Sequence, residues 1–211
     1  MANTTRRGMR TRAEILDAAR FHMLVAGPDK FSLREVARRA RLSPAALYNH
    51  YPSREALIHE LGMEAMWVLA VSVSESRRES SPRARLYAFA EGYLRFAREE
   101  PERYQLVLSM LTGSPDAWDE LAQVARPFDL IVEACRDGLT TGSLKDPSDL
   151  GPAGIAYGLW ALVHGMVVLS AHHVGGLEEA LLPMQRTAID AYLEGISGHG
   201  PGRSSSATMP A

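Results

Sequence analysis

The chain has 211 residues, 46% hydrophobic and 23% charged, and a formal net charge of −2, which suits a globular protein long enough to bury a sizeable core in one or two domains. Cys135 is the only cysteine, so no intrachain disulfide is possible and a reducing compartment is expected. The small net charge hides a polarity: residues 1–60 carry 11 Lys and Arg against 6 Asp and Glu, whereas residues 61–211 carry 12 against 19. A basic head on an acidic body suggests one end that faces a polyanion and a body that avoids it.

Helical periodicity runs through almost every segment and no β-branched alternation marks a strand, so an all-α chain of about nine helices is predicted. Residues 1–9 read as a flexible basic arm. The first helix is expected over 10–26, with Ile15, Ala18, Ala19 and Met23 inward, ended by Gly27-Pro28-Asp29. Two short helices follow within 31–51. Ser32 is the expected cap of the first, with Glu35 three places on completing a capping box. Val36, Ala37 and Ala40 share its inner face, and Leu42 closes the turn. Ser43 caps the second, with Pro44 at its first position, where a missing N–H is harmless. Leu47 returns to the core, leaving Pro44, Ala45, Tyr48 and Asn49 outward.

Ser53 is the expected cap of a long fourth helix, with Leu57, Leu61, Trp67 and Val71 on or near one face. Ser81-Pro82, Ser114-Pro115 and Asp146-Pro147 each offer a capping side chain followed by proline, and Glu100-Pro101 breaks the chain. These signals place helices near 82–99, 101–112, 115–138, 147–173 and 176–197. The tail from 198 is Gly-, Pro- and Ser-rich and expected to be disordered. No uninterrupted apolar run reaches the ~18 residues of a membrane span; the longest, 159–171, is broken by His164, Gly165 and Ser170. The basic N-terminus lacks the apolar region of a signal peptide. A cytoplasmic protein with no membrane partner is expected.

Alanine at 37, a turn four residues later and an apolar anchor at Leu47 give helix-turn-helix spacing, because two helices crossing closely need a small residue at the contact. A helix presented in this way fits the major groove of B-DNA. The stretch resembles the DNA-binding domain of the TetR family of bacterial transcriptional repressors in three pieces. They are Arg12-Ala13-Glu14-Ile15-Leu16-Asp17-Ala18-Ala19 running to Gly27, the helix-turn-helix itself, and Leu47-Tyr48-Asn49-His50-Tyr51-Pro52-Ser53-Arg54-Glu55-Ala56-Leu57. The last is similar to the family's "LYxHF-xSKExL" signature, with Tyr51 for Phe and Arg54 for Lys. The similarity covers roughly residues 10–61, and departs at Arg41, where the family usually has glycine. It implies a DNA-binding domain over 10–52, a linking helix from 53, and an effector-binding and dimerisation domain over 53–197.

Matched positions and side-chain chemistry together define the candidate DNA contacts. Tyr48 and His50 each have a hydrogen bond to offer a phosphate oxygen, which positions the helix without reading sequence. Arg54, at the family's lysine position, puts a cation beside a helix start that also suits phosphate. Asn49 and Arg41 are candidates for base edges, Asn for adenine and Arg for guanine. Ala45 and Ala46 suit a thymine methyl or simply a close approach, and Ser32, Ser43 and Pro44 complete the set. His50 also reads as a helix-end cation, and Tyr48 as partly core. Arg6, Arg7, Arg10 and Arg12 form a basic stretch that either follows the DNA backbone or stays solvated.

In the C-terminal half, Tyr157-Gly158-Leu159-Trp160-Ala161-Leu162-Val163-His164-Gly165 resembles the "W…HG" motif of the WHG type of TetR C-terminal domain, and residues 101–108 more loosely resemble that class's "HPxLYRLMF" stretch. Gly154, Gly158, Ala161 and Gly165 form one helical seam. Glycine in a helix costs about 1 kcal/mol relative to alanine, so the seam calls for close helix approach, with Ala188, Ala191 and Gly195 at similar spacing on the next helix. The resemblance implies a homodimer interface there, as a palindromic operator requires; packing within one subunit is the alternative. Phe89, Tyr93, Phe96, Tyr104, Trp118, Phe128, Trp160 and His164 are candidates to line an effector pocket, or are core. The sequence has no metal-ligand spacing, phosphate loop or nucleophile elbow, so no catalytic residue, metal or cofactor is expected. The leading reading is a dimeric repressor, bound to a double-stranded palindromic operator and released by an unidentified small apolar or aromatic effector. Alternatives are a regulator without such an effector, an activator, or a helical enzyme.

Overall fold

The computed structural model describes residues 2–27, 30–111, 127–171 and 178–198. Among these there are nine α-helices: α1 Ala2–Ala26, α2 Leu33–Arg39, α3 Pro44–Tyr48, α4 Arg54–Ser74, α5 Pro82–Glu99, α6 Pro101–Leu111, α7 Pro127–Thr141, α8 Gly151–Ala171 and α9 Glu178–Gly195. A short 3₁₀ helix, Glu75–Arg78, follows α4. A single antiparallel bridge, Leu144 with Ser197, is the only β pairing among the described residues. The all-α expectation therefore holds.

The chain divides into two compact units, one of residues 1–72 with 95–126, the other of 73–94 with 127–211. In the first of these α6 packs on α1. In the first unit Ile15, Ala19, Val36, Leu47, Leu57 and Leu61 are almost wholly buried. Ala37 is buried as well, as the helix crossing demands. In the second, Leu86, Phe89, Ile131, Ile155, Leu159 and Ile189 form the core, with α8 packed between α7 and α9.

Several helix ends form as their side chains dictate. Ser43 Oγ accepts from the Ala46 N–H at 3.1 Å, Ser53 Oγ from Ala56 at 3.1 Å and Ser81 Oγ from Ala84 at 3.2 Å. Three expectations need correction. Ser32 holds the N-cap position of α2 but its side chain makes no cap bond, and Glu35 bonds Arg38 instead at 2.9 Å, so the capping box does not form. α8 starts at Gly151 rather than 147: the Asp146 carboxylate gathers the N–H groups of Leu150 (2.8 Å) and Gly151 (2.6 Å), and these bonds hold its pKa below the usual range. Residues 2–9, expected as a loose arm, continue α1 from Ala2; no proline interrupts them, and Gly8 alone does not stop a helix. The helix start at Ser114-Pro115 and the tail beyond 198 lie outside the described residues.

Two helical stretches, Arg54–Arg78 and Gly151–Ser170, reach the length and mean hydropathy of membrane spans, which counting uninterrupted apolar runs does not register. The first buries Leu57, Leu61, Ala65 and Leu69, the second Ile155, Leu159, Val163 and Val167, each a stripe at helical spacing.

Candidate functional site

The turn between α2 and α3 is built by three backbone bonds: Ala40 N–H to Val36 O (2.9 Å), Arg41 N–H to Arg38 O (3.2 Å) and Leu42 N–H to Ala37 O (2.9 Å). The last two are the paired bonds of a Schellman C-cap, whose closing residue takes a left-handed backbone. That residue is Arg41, at φ 57°. The turn thus has the geometry that glycine normally supplies, with an arginine in it.

From this turn α3 projects an outer face of Pro44, Ala45, Tyr48 and Asn49, all exposed. Tyr48 is 53% exposed, so about half of its side chain is open to solvent. Ala46 and His50 are half-buried at the edges of this face, while Leu47 anchors the helix at 0% exposure. α3 ends at Tyr48, with Asn49 as its C-cap, and the N–H groups of His50 and Tyr51 both turn back to Leu47 O at 2.9 Å. The Ser43 hydroxyl is engaged as the cap, whereas the half-buried Ser32 hydroxyl makes no such bond.

Arg54 is less free than its position suggests. Its Nε donates to Phe31 O at 3.2 Å, and its guanidinium lies 5.9 Å from the Phe31 ring centroid. It fastens the segment before α2 to the start of α4. A second fastening was not legible in the sequence. Arg12 of α1 makes a two-pronged ion pair with Glu60 of α4, Nε to Oε1 at 2.8 Å and Nη2 to Oε2, and stands over the Tyr51 ring. The pairing raises the Arg12 pKa; burial, with Glu60 beside it, pushes the Tyr51 phenol up. Arg20 pairs with Glu64 at 2.5 Å and also with Asp17. Arg12 and Arg20 lie two turns apart on α1, and Glu60 and Glu64 one turn apart on α4, but nothing in either helix alone reveals the match.

In the second unit the Tyr93 hydroxyl and His164 Nδ1 lie 2.9 Å apart. Trp160 is 5.8 Å from His164 between ring centroids, and Phe128 is 5.8 Å from Trp160. Phe89 stacks on Tyr93. Phe89, Tyr93, Phe128, Trp160 and His164 are therefore one connected aromatic group that includes the hydrogen-bonded Tyr93–His164 pair. Burial holds the His164 pKa below its ordinary value, so the ring is neutral near pH 7. Phe96 and Tyr104, also buried, belong to the first unit, and Trp118 lies outside the described residues.

The small-residue seam divides in two. A Cβ built on Gly158 would fall 2.5 Å from the Tyr192 hydroxyl of α9, which itself donates to Ile155 O at 2.6 Å. Gly158 is therefore occupied by packing within the chain, the alternative raised for this seam. Gly154 likewise faces Leu150, at 2.8 Å from such a Cβ, whereas no described atom lies within 4 Å of one on Gly165. The outward row of α8 is Tyr157, Ala161, Gly165 and Leu169, with Tyr157 61% and Leu169 59% exposed. On α9, Leu182 and Met184 are exposed, Ala188 half-buried and Ala191 exposed.

Two family descriptions match the chain. "Bacterial regulatory proteins, tetR family" covers residues 15–61 and "Tetracyclin repressor-like, C-terminal domain" covers 86–192. The uncharacterized HTH-type transcriptional regulator YobS of Bacillus subtilis (strain 168) is 25% identical over 186 residues, 88% of this chain and 92% of YobS. The TetR family transcriptional regulator PfmR from Thermus thermophilus shares the fold at a TM-score of 0.67 and 20% identity, over 90% of this chain and 99% of that one. A transcriptional regulator from Saccharomonospora viridis, solved in complex with choline, does so at a TM-score of 0.72 and 20% identity, over 91% and 100%.

Proposed function

The chain belongs to the TetR family of bacterial transcriptional regulators, and from that membership we propose that it is a cytoplasmic, dimeric repressor released from a palindromic operator by a small apolar or aromatic effector. TetR-family regulators bind DNA and act as dimers. The observation that carries the reading is the outer face of α3. Tyr48 and Asn49 stand exposed beside a row of small residues, on a helix held by Leu47 and capped by Ser43. In this reading Tyr48, His50 and the Ser32 hydroxyl contact phosphates, Asn49 reads a base edge, and Pro44, Ala45 and Ala46 let the helix approach closely. Arg54 adds charge while it braces α4.

Dimerisation is supported by the apolar row Tyr157, Ala161, Gly165 and Leu169 on α8, which no described residue of the chain covers, next to Ala188 and Ala191 on α9. Gly158 serves this interface indirectly, by seating α8 against Tyr192 of α9 in its own chain, while Gly154 makes room for Leu150. The effector site is the aromatic group of Phe89, Tyr93, Phe128, Trp160 and His164. A half-buried polar pair among aromatic rings gives a ligand a directed contact inside a largely apolar surround. Trp160, His164 and Gly165 are the residues on which we assign the C-terminal domain to the WHG type. Choline in the Saccharomonospora viridis protein suggests quaternary ammonium compounds as one class to screen, because aromatic faces attract such cations.

The test is binding of the DNA upstream of the gene, followed by fluorescence anisotropy over a salt series. A repressor of this kind gives a steep salt dependence, and an effector identified by screening shifts the complex toward free DNA. A protein that binds no DNA at low salt would overturn the reading.

A further inference from the structure

Arg41 has an unusual combination of properties. Its backbone is left-handed, at φ 57°, where glycine adopts the conformation freely and a side chain with a Cβ is strained. Its side chain is exposed, and no hydrogen bond or ion pair of its guanidinium occurs among the described residues. It sits on the wall of a groove of about 470 Å³ between α1 and the turn, whose other walls include Glu14, Asp17 and Arg39. Both carboxylates are paired with other arginines, Glu14 with Arg10 at 3.0 Å and Asp17 with Arg20, which it shares with Glu64. Arg39 lies with its guanidinium carbon 3.3 Å from the centroid of the Phe21 ring. A guanidinium lying flat on a ring directs its N–H groups sideways, in the arrangement that meets two oxygens of one phosphate.

We infer that Arg41, with Arg39 beside it, is an anchor for a phosphate of duplex DNA, gripping the backbone at the turn while α3 occupies the groove. The inference rests on the DNA-binding reading above. Arg41 lies two residues before the Ser43 cap, outside α3, so it flanks the helix that reads bases instead of standing on its outer face. A phosphate contact explains both oddities together: a strained position kept for a side chain that no described residue holds. A positive charge without a partner among the described residues gains most from a polyanion.

The experiment measures binding of fluorescein-labelled mixed-sequence duplexes, with and without guanine at matched positions, across a salt series. Wild type is compared with Arg41→Gly, Arg41→Asn and Arg41→Lys. Glycine and asparagine both accept the left-handed backbone, so these variants keep the turn, and thermal unfolding confirms it. The expected result is a loss of roughly tenfold at low salt in both, equal on all duplexes. The log–log salt slope should be shallower by about 0.9 for the one phosphate lost. Lysine should retain most of the slope. Wild-type affinity and slope in a folded Arg41→Gly protein would overturn the anchor, as would a loss confined to guanine-bearing duplexes. If Tyr48→Ala weakens binding while Arg41→Gly does not, the anchor fails and the docking of α3 stands; if wild type binds no duplex, the DNA-binding reading itself fails.

Discussion

Single side chains on the two faces of this protein separate by the kind of free energy they handle. Tyr48 is exposed and uncommitted, so Tyr48→Ala should leave the fold intact and weaken binding to operator and random duplex alike, because a phosphate contact carries no sequence information. Asn49→Ala should instead change which bases are preferred; a binding-site selection on the two variants distinguishes these outcomes. His164 is the opposite case. Its pKa is depressed by burial in the folded state, so the unfolded chain binds a proton more readily. Above about pH 6.5, the ordinary histidine value, both states are neutral and the group is without effect. As pH falls below that value the unfolded state is favoured and stability is lost. The thermal midpoint of wild type should therefore fall more steeply between neutral and mildly acidic pH than that of His164→Gln. Cys135, buried with its thiol pushed up to about 12, should resist alkylation until the second unit unfolds.

At the scale of elements, capping and close packing decide which substitutions matter. Ser43→Ala removes a formed cap bond and should cost α3 about 1 kcal/mol. Ser32→Ala removes none and should leave the denaturation midpoint close to wild type, so any loss of DNA binding would be a contact effect. Gly158 and Gly165 of α8 divide in the same way. Gly158→Leu meets Tyr192 inside the chain and should destabilise the second unit by roughly 1–3 kcal/mol. Gly165→Leu meets no described atom of the chain, so the subunit should stay folded by circular dichroism while light scattering reports a weaker or absent dimer. A Gly165→Leu protein that remains fully dimeric would remove α8 from the proposed interface. The paired bridges Arg12–Glu60 and Arg20–Glu64 join α1 to α4 at two points. Partly exposed pairs of this kind contribute about 0–1 kcal/mol each, so their main effect is to make the two helices move together.

For the whole molecule, the separation of charge along the chain and the proposed two-fold contact act together. Two recognition helices must meet half-sites about one helical turn apart, roughly 34 Å, or a multiple of it. Wild type should therefore bind a palindromic duplex more tightly than a single half-site. A monomeric variant should lose that advantage yet keep the half-site affinity. Equal affinity of wild type for one and two half-sites would contradict the dimeric reading. The acidic character of residues 61–211 keeps the body from competing for the same polyanion, a property independent of the fold.

The sequence by itself determined the helical class, the helix-turn-helix and the small residue at Ala37, because these follow from short-range periodicity, caps and turn chemistry within about twenty residues. It also marked Arg41 as the place where a glycine turn carries a charge, and the left-handed φ follows from the turn's own bonds. The tertiary structure alone decided which partner each side chain finds. Arg54 is a free cation by position, yet the carbonyl of Phe31 lies within its reach. Gly154, Gly158 and Gly165 are equivalent in spacing, yet only Tyr192, 34 residues beyond Gly158, determines that one faces inward and another outward. Arg12 meets Glu60 across 48 residues of chain. Such pairings depend on how helices cross, which local pattern does not encode, and so the faces of helices were legible while their neighbours were not.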